Sequence, residues 1–169
     1  MGLLRESVDV CFGAKLVRGA YMLQERQRAQ QMGLPDPICA DYSATSANYD
    51  KVSCFLLDRS GPRCHFIAAT HNEESIRLVI HRMEDEKADR RFVSFGQLYG
   101  MCDQISNPLA ERGFAVYKSV PYGTLPEVLP YLARRALENK GVLKGARKEH
   151  ALLVKELKTR LLHRGVTAL

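Results

Sequence analysis

Hydrophobic and polar positions along the chain switch repeatedly between a period of two and a period near 3.6. Lys15 to Tyr21 (K-L-V-R-G-A-Y) predicts a buried strand, with Lys15, Val17, Gly19 and Tyr21 on one side and Arg18 and Ala20 on the other. Met22 to Met32, rich in Gln, Arg, Glu and Ala, predicts a polar helix stopped by Gly33 and Pro35. A Pro/Asp loop over Leu34–Tyr42 leads to a helix from about Ser43 to Leu57, closed by Ser60-Gly61-Pro62. A second strand, Cys64 to Thr70, runs into His71-Asn72 and a helix striped by Ile76, Val79, Ile80 and Met83. Asn72 suits the N-cap of that helix, and Glu73 and Glu74 suit its positive dipole end. A third strand, Phe92 to Gln97, precedes Leu98-Tyr99-Gly100-Met101 and a helix to about Arg112 that Pro108 bends or shortens. A fourth, Ala115 to Val120, meets a Pro121-Tyr122-Gly123 turn and a helix opened by Thr124 and Glu127 at capping-box spacing. Pro126 falls in its first turn, where a missing N–H costs little. A final amphipathic helix spans about Ala146 to Leu162 and carries Leu153, Leu157 and Leu161. Residues 1–13 receive no firm structure, and the tail from His163 is expected to fray.

Strand–helix alternation repeated four times implies an α/β fold, a parallel sheet with helices outside it. Such sheets build their sites at the carboxyl ends of the strands. Those ends hold Gly19-Ala20-Tyr21, Thr70-His71-Asn72, Gln97-Leu98 and Ser119. A closed eight-fold barrel needs ~250 residues, whereas 169 residues with four units supply about half of one.

Composition narrows the picture only slightly. With 46% hydrophobic and 26% charged residues, the chain has the make-up of one soluble globular domain, taken as residues 1–169. The net charge of +6 is interleaved along the sequence with no basic stripe, so nucleic-acid binding is not expected. The five cysteines (Cys11, Cys39, Cys54, Cys64, Cys102) include no C-x-x-C and read as reduced, buried thiols of an intracellular compartment. No apolar run approaches the ~20 residues of a membrane span, and Glu6 spoils a myristoylation signal at Gly2. His71 has no partner at metal-ligand spacing, so no metal is expected.

The chemistry concentrates on the helix after the fourth strand. Leu125, Val128, Leu129, Leu132, Ala133, Ala136 and Leu137 fall on one face, and Tyr131, Arg134, Arg135 and Glu138 on roughly the opposite one. Two adjacent guanidinium groups beside a tyrosine suit a carboxylate clamp. The plainer reading is a solvated helix face with a Glu138–Arg134 pair.

Four motifs stand in order: K-L-V-R-G-A-Y (15–21), A-T-H-N-E-E-S (69–75), F-G-Q-L-Y-G-M-C-D (95–103) and P-Y-G…L-P-Y-L-A-R-R-A-L-E-N (121–139). Together, over residues 14–160, they resemble the flavin-dependent proline dehydrogenase family. The likeness is to the C-terminal half of that family's catalytic (β/α)8 TIM barrel, about the last four β/α units plus terminal helices. It implies an FAD enzyme that removes a hydride from the ring carbon next to nitrogen. By the same likeness Arg134 and Arg135 would hold the substrate carboxylate, Tyr131, Tyr21 and Leu98 would line the pocket, and Glu138 would orient an arginine. Lys15, Val17, Arg18, Gly19 and Ala20 would lie along the flavin, with Lys15 supplying charge near its reactive nitrogen. Thr70, His71 and Asn72 would also contact the cofactor, as would Gln97 and Leu98.

Ser119 departs from the family's usual tyrosine and matches the serine of the related hydroxyproline dehydrogenases. Losing a phenol ring opens space for a 4-hydroxyl, which the serine can bond. The alternative is a serine that merely ends a buried strand. Val142-Leu143-Lys144-Gly145-Ala146-Arg147 also resembles the hydroxyproline branch, so trans-4-hydroxyproline is the expected substrate and proline the alternative. The resemblance further implies a quinone electron acceptor, peripheral inner-membrane association and a mitochondrial location. The family's first four strands have no counterpart here, which suggests either pairing of two copies into a homodimer or a silent, incomplete product.

Overall fold

Short runs of Val, Ala, Phe and Ile build the strands, and each strand hands over to a helix through Gly, Pro or a capping side chain. The computed structural model describes residues 10–85, 87–138 and 143–163, the side chains of 138, 143–149 and 163 aside. The order is β1 (Phe12–Val17), α1 (Met22–Met32), α2 (Tyr42–Leu57), β2 (Cys64–Ala69), α3 (Glu73–Asp85), β3 (Val93–Leu98), α4 (Asp103–Glu111), β4 (Ala115–Ser119), α5 (Leu125–Glu138) and α6 (Leu143–His163). The strands form one sheet in the order β1-β2-β3-β4, all parallel.

One face of the sheet packs on helices. Phe66, Ala68, Val93 and Phe95 from the two central strands meet Leu56 and Leu57 of α2, Ile76, Val79 and Met83 of α3, Leu109 of α4, and Phe114. Phe95 and Phe114 meet edge to face with centroids 5.7 Å apart. Burying each such side chain stabilises the fold by about 1.5–3 kcal/mol. Tyr49 of α2, buried behind β1, donates to the Leu16 carbonyl (3.5 Å), and burial pushes its phenol pKa up. The other face is open. Period-two alternation and the register place Lys15, Ile67, Ser94 and Ala115 in one row across it, and Val17, Ala69, Gly96 and Tyr117 in the next.

Several boundaries differ from the sequence reading. The first strand starts at Phe12 and stops at Val17, because Gly19 (φ 71°) and Tyr21 (φ 57°) turn left-handed and lead into α1. Arg18 and Ala20 are therefore turn residues, not one side of a strand. β3 begins one residue later than expected and includes Leu98, because Arg90–Phe92 forms a 3-10 turn capped by Asp89. Asp41 caps α2 by accepting from the Ala44 N–H (2.7 Å), and Asn72 accepts from the Ser75 N–H (2.8 Å) at the start of α3. At α5 only half of the capping box forms, because the Thr124 hydroxyl donates to the Glu127 carboxylate (2.7 Å), which also takes the Thr124 N–H (3.1 Å). Two apolar stripes remain uncovered: Leu125, Leu129 and Leu132 of α5, and Leu153, Leu157 and Leu161 of α6. None of the five cysteines forms a disulfide with another, and of the five only Cys102 is fully buried. No helix among the described residues is long and apolar enough to cross a membrane.

Candidate active site

The carboxyl ends of the four strands point to one rim of the open face. There β3 and β4 lie in register at Leu98 and Ser119, and the next amide, Tyr99 N–H, donates to the Ser119 carbonyl (3.0 Å). Ser119 is exposed and lines a cleft of about 330 Å³ with Val120, Pro121, Tyr122, Glu127, Val128 and Tyr131. A larger depression, about 510 Å³, lies between α3 and Arg112, and none of its lining residues comes from the segments directly after the strands' carboxyl ends. The chemistry of the rim favours the smaller cleft. Above it, Arg135 of α5 sits 5.4 Å from the Tyr131 ring centroid and 5.6 Å from that of Tyr21, just beyond β1. Cation–π contacts of this kind hold a guanidinium at the ring faces. The fold thus brings Tyr21, Leu98, Ser119, Tyr131 and Arg135 to one side of the rim. Arg134 is exposed, as is Lys15 lower on the open face, and neither makes a hydrogen bond or ion pair with the described residues. The Glu138 carboxylate and the side chains of the 142–147 run lie outside the described residues.

A second group ties β1 to β2. The Tyr42 hydroxyl accepts from Arg18 Nη1 (3.3 Å) and from Asn72 Nδ2 (2.9 Å), and the Arg18 guanidinium stacks 4.3 Å from the Tyr42 ring centroid. Arg18 also donates to Ser46 of α2. By sequence pattern alone Tyr42 falls in the Pro/Asp loop. The only available signal was its place directly after Asp41, a capping residue, at the head of a helix whose first turn must approach the strand ends.

His71 carries the third group. Its Nε2 accepts the Leu98 N–H at 3.1 Å, while the Cys102 thiol donates to its carbonyl (3.8 Å). Burial, reinforced by the Lys118 ammonium, holds its pKa below the ordinary histidine value. Lys118 is fixed by Asp103 (2.7 Å) and by the Met101 carbonyl (2.6 Å). No cluster of three or more metal-type ligands occurs among the described residues.

Two residues assigned to a ligand by resemblance sit elsewhere. Gln97 is buried on the helix side of β3, its amide meeting the Ser106 hydroxyl of α4 (3.1 Å), because the alternation that turns Leu98 to the open face turns Gln97 away. Thr70 is likewise buried, its hydroxyl accepting the Asn72 N–H (3.1 Å), and it shapes the turn into α3. In their place the rim offers a floor. Ala69 and Gly96 lie side by side in the register, and a Cβ added to Gly96 would come within 3.1 Å of Ile67. A floor this bare, flanked by Val17, Lys15 and Arg18, fits a flat heteroaromatic ring with an anionic tail, as a flavin dinucleotide has.

Comparison with known proteins bears on the family and the fold. A family model described as proline dehydrogenase matches residues 4–148. The chain is 50% identical over 165 residues to hydroxyproline dehydrogenase of Bos taurus, covering 95% of this chain and 36% of that protein. It is 51% identical over 156 residues to proline dehydrogenase 1, mitochondrial, of Homo sapiens, covering 89% and 26%. The chain therefore spans about a third or less of the length of these relatives. Among solved structures, proline utilization A of Bdellovibrio bacteriovorus, inactivated by N-propargylglycine, superposes with a TM-score of 0.70 at 29% identity, over 80% of this chain and 14% of that one. Matched along most of its length in both sequence and backbone, the chain belongs to the proline dehydrogenase family.

Proposed function

We propose that this chain carries the substrate-binding side of an FAD-dependent dehydrogenase acting on trans-4-hydroxyproline. The observation that carries the reading is the cleft in which Ser119 faces Tyr131, with Arg135 held between Tyr131 and Tyr21. Arg135 and Arg134 would bind the substrate carboxylate, an interaction that orients the ring and excludes amines lacking the acid. Ser119 would exchange a hydrogen bond with the 4-hydroxyl, and Tyr131, Tyr21 and Leu98 would close apolar contacts around the ring. The bare floor at Ala69 and Gly96 would take the flavin ring, with Lys15, Val17, Gly19 and Ala20 along it and Arg18, His71 and Asn72 near its polar parts. The chemistry a bound flavin would supply there is acceptance of a hydride from the carbon next to the ring nitrogen. The second reading, proline oxidation, is favoured by the human and bovine relatives named proline dehydrogenase 1, mitochondrial, at 51% and 52% identity. From those names we take a mitochondrial location, and from the family resemblance a quinone acceptor at the inner membrane.

Ser119→Tyr tests the substrate. The phenol would fill the space of the 4-hydroxyl and remove the small polar group, so the ratio of kcat/KM for hydroxyproline over proline should fall at least about tenfold. An unchanged ratio would remove Ser119 from substrate choice.

A further inference from the structure

The last amide of β3 points at a strand that has already ended. Tyr99 N–H donates toward β4, so by alternation the Leu98 N–H faces β2, but β2 stops at Ala69 and the chain turns into α3. No ladder carbonyl is there to receive it, and a half-buried amide needs a partner. The imidazole of His71 supplies one, reaching back from the turn so that Nε2 accepts the Leu98 N–H at 3.1 Å. A ring nitrogen that accepts must be bare, which leaves the single proton of the neutral ring on Nδ1.

We propose that His71 is a positioning residue whose bare Nε2 fixes the Leu98 end of β3 beside the cleft, so that the ring meets any occupant of the rim only as a neutral Nδ1–H donor. The charges around it agree. From β4 comes the Lys118 ammonium, partly offset by Asp103 of α4; α4 also brings the Cys102 thiol, which contacts the His71 carbonyl. On the α3 side, Glu73 is paired with Arg77 (2.7 Å), and Glu74 lies exposed in the first turn. Burial and Lys118 both disfavour an imidazolium. Protonation of Nε2 would also set two donors face to face, so this ring is neither the acid nor the base of a reaction at the rim. The bond to Leu98 stands on the chain alone; that the occupant is a flavin or an imino acid rests on the function proposed above.

The test is nuclear magnetic resonance and amide exchange on the whole ¹⁵N-labelled chain without added flavin. The expected spectrum has His71 bare at Nε2 and protonated at Nδ1, remaining so below the ordinary histidine pKa, with Leu98 protected from exchange until the ring is finally protonated. In His71→Leu the Leu98 amide should exchange at least about tenfold faster, while Val93 and Phe95 keep their protection. In His71→Gln, whose Oε1 can accept in place of Nε2, the protection should return and lose its dependence on acid. If the leucine variant does not fold, the tautomer and the glutamine variant decide. An Nε2–H tautomer, ordinary titration of His71, or unchanged Leu98 exchange in the leucine variant would overturn the proposal. Failure of a separate FAD titration would count against the proposed function and leave this bond standing.

Discussion

Tyr42 offers one phenolic oxygen to two donors, Arg18 and Asn72, that arrive from different strand ends. Tyr42→Phe keeps the ring on which Arg18 stacks and deletes only that oxygen. Flavin affinity should drop by about tenfold, the worth of one hydrogen bond to a charged group, while the circular dichroism spectrum stays that of the parent. A phenylalanine variant that bound FAD as tightly as the parent would show that the oxygen positions nothing. Residues such as Ser119, Tyr131 and Arg135 were legible because strand ends and a three-to-four-residue helical spacing place them almost regardless of detail. Tyr42 was not legible, since an exposed aromatic after a Pro/Asp loop looks the same whether or not its hydroxyl meets a partner. Gln97 faces the helices for a reason that motif position does not report. It sits next to Leu98 in sequence, and in a strand adjacent residues face opposite ways.

At the scale of elements, small residues decide what the sheet can hold. Gly96 and Ala69 make the open face flat where the two central strands run side by side. Gly96→Ala would press its methyl to 3.1 Å from Ile67 Cγ2, which should cost about 1 kcal/mol of stability by urea titration and weaken flavin binding by more than that loss explains. Equal flavin binding in a folded alanine variant would mean that the floor is not where the ring lies. Element order and type were readable along the chain because each helix and strand has its own hydrophobic period, and Met22–Met32 matches at both ends. The ends that shifted are those set by backbone geometry that side-chain period does not report, as at Gly19, where a left-handed turn ends β1 four residues before Tyr21. The α5 stripe shows the other limit. Its leucines have the spacing of a core face, but spacing cannot say whether a covering element is present, and Leu125 is 71% exposed.

Among the described residues, one face of the sheet is packed and the other is open, and β1 and β4 each present an edge that pairs with no other described strand. The alternation of elements revealed the parallel sheet and its helix-covered side, because that is a repeat of local signals. It could not reveal what the open face meets, because side-chain period does not encode non-local contacts. The rim on that face is where the residues proposed to recognise substrate and cofactor converge, and on the proposed function they bind a flavin and a hydroxylated imino acid together. The most direct measurement is a visible absorption spectrum of the purified chain supplied with FAD, followed anaerobically after addition of trans-4-hydroxyproline and then, in a separate sample, proline. The account expects a bound-flavin spectrum that bleaches faster and further with hydroxyproline than with proline. A protein that stays colourless after incubation with FAD and gel filtration would contradict it.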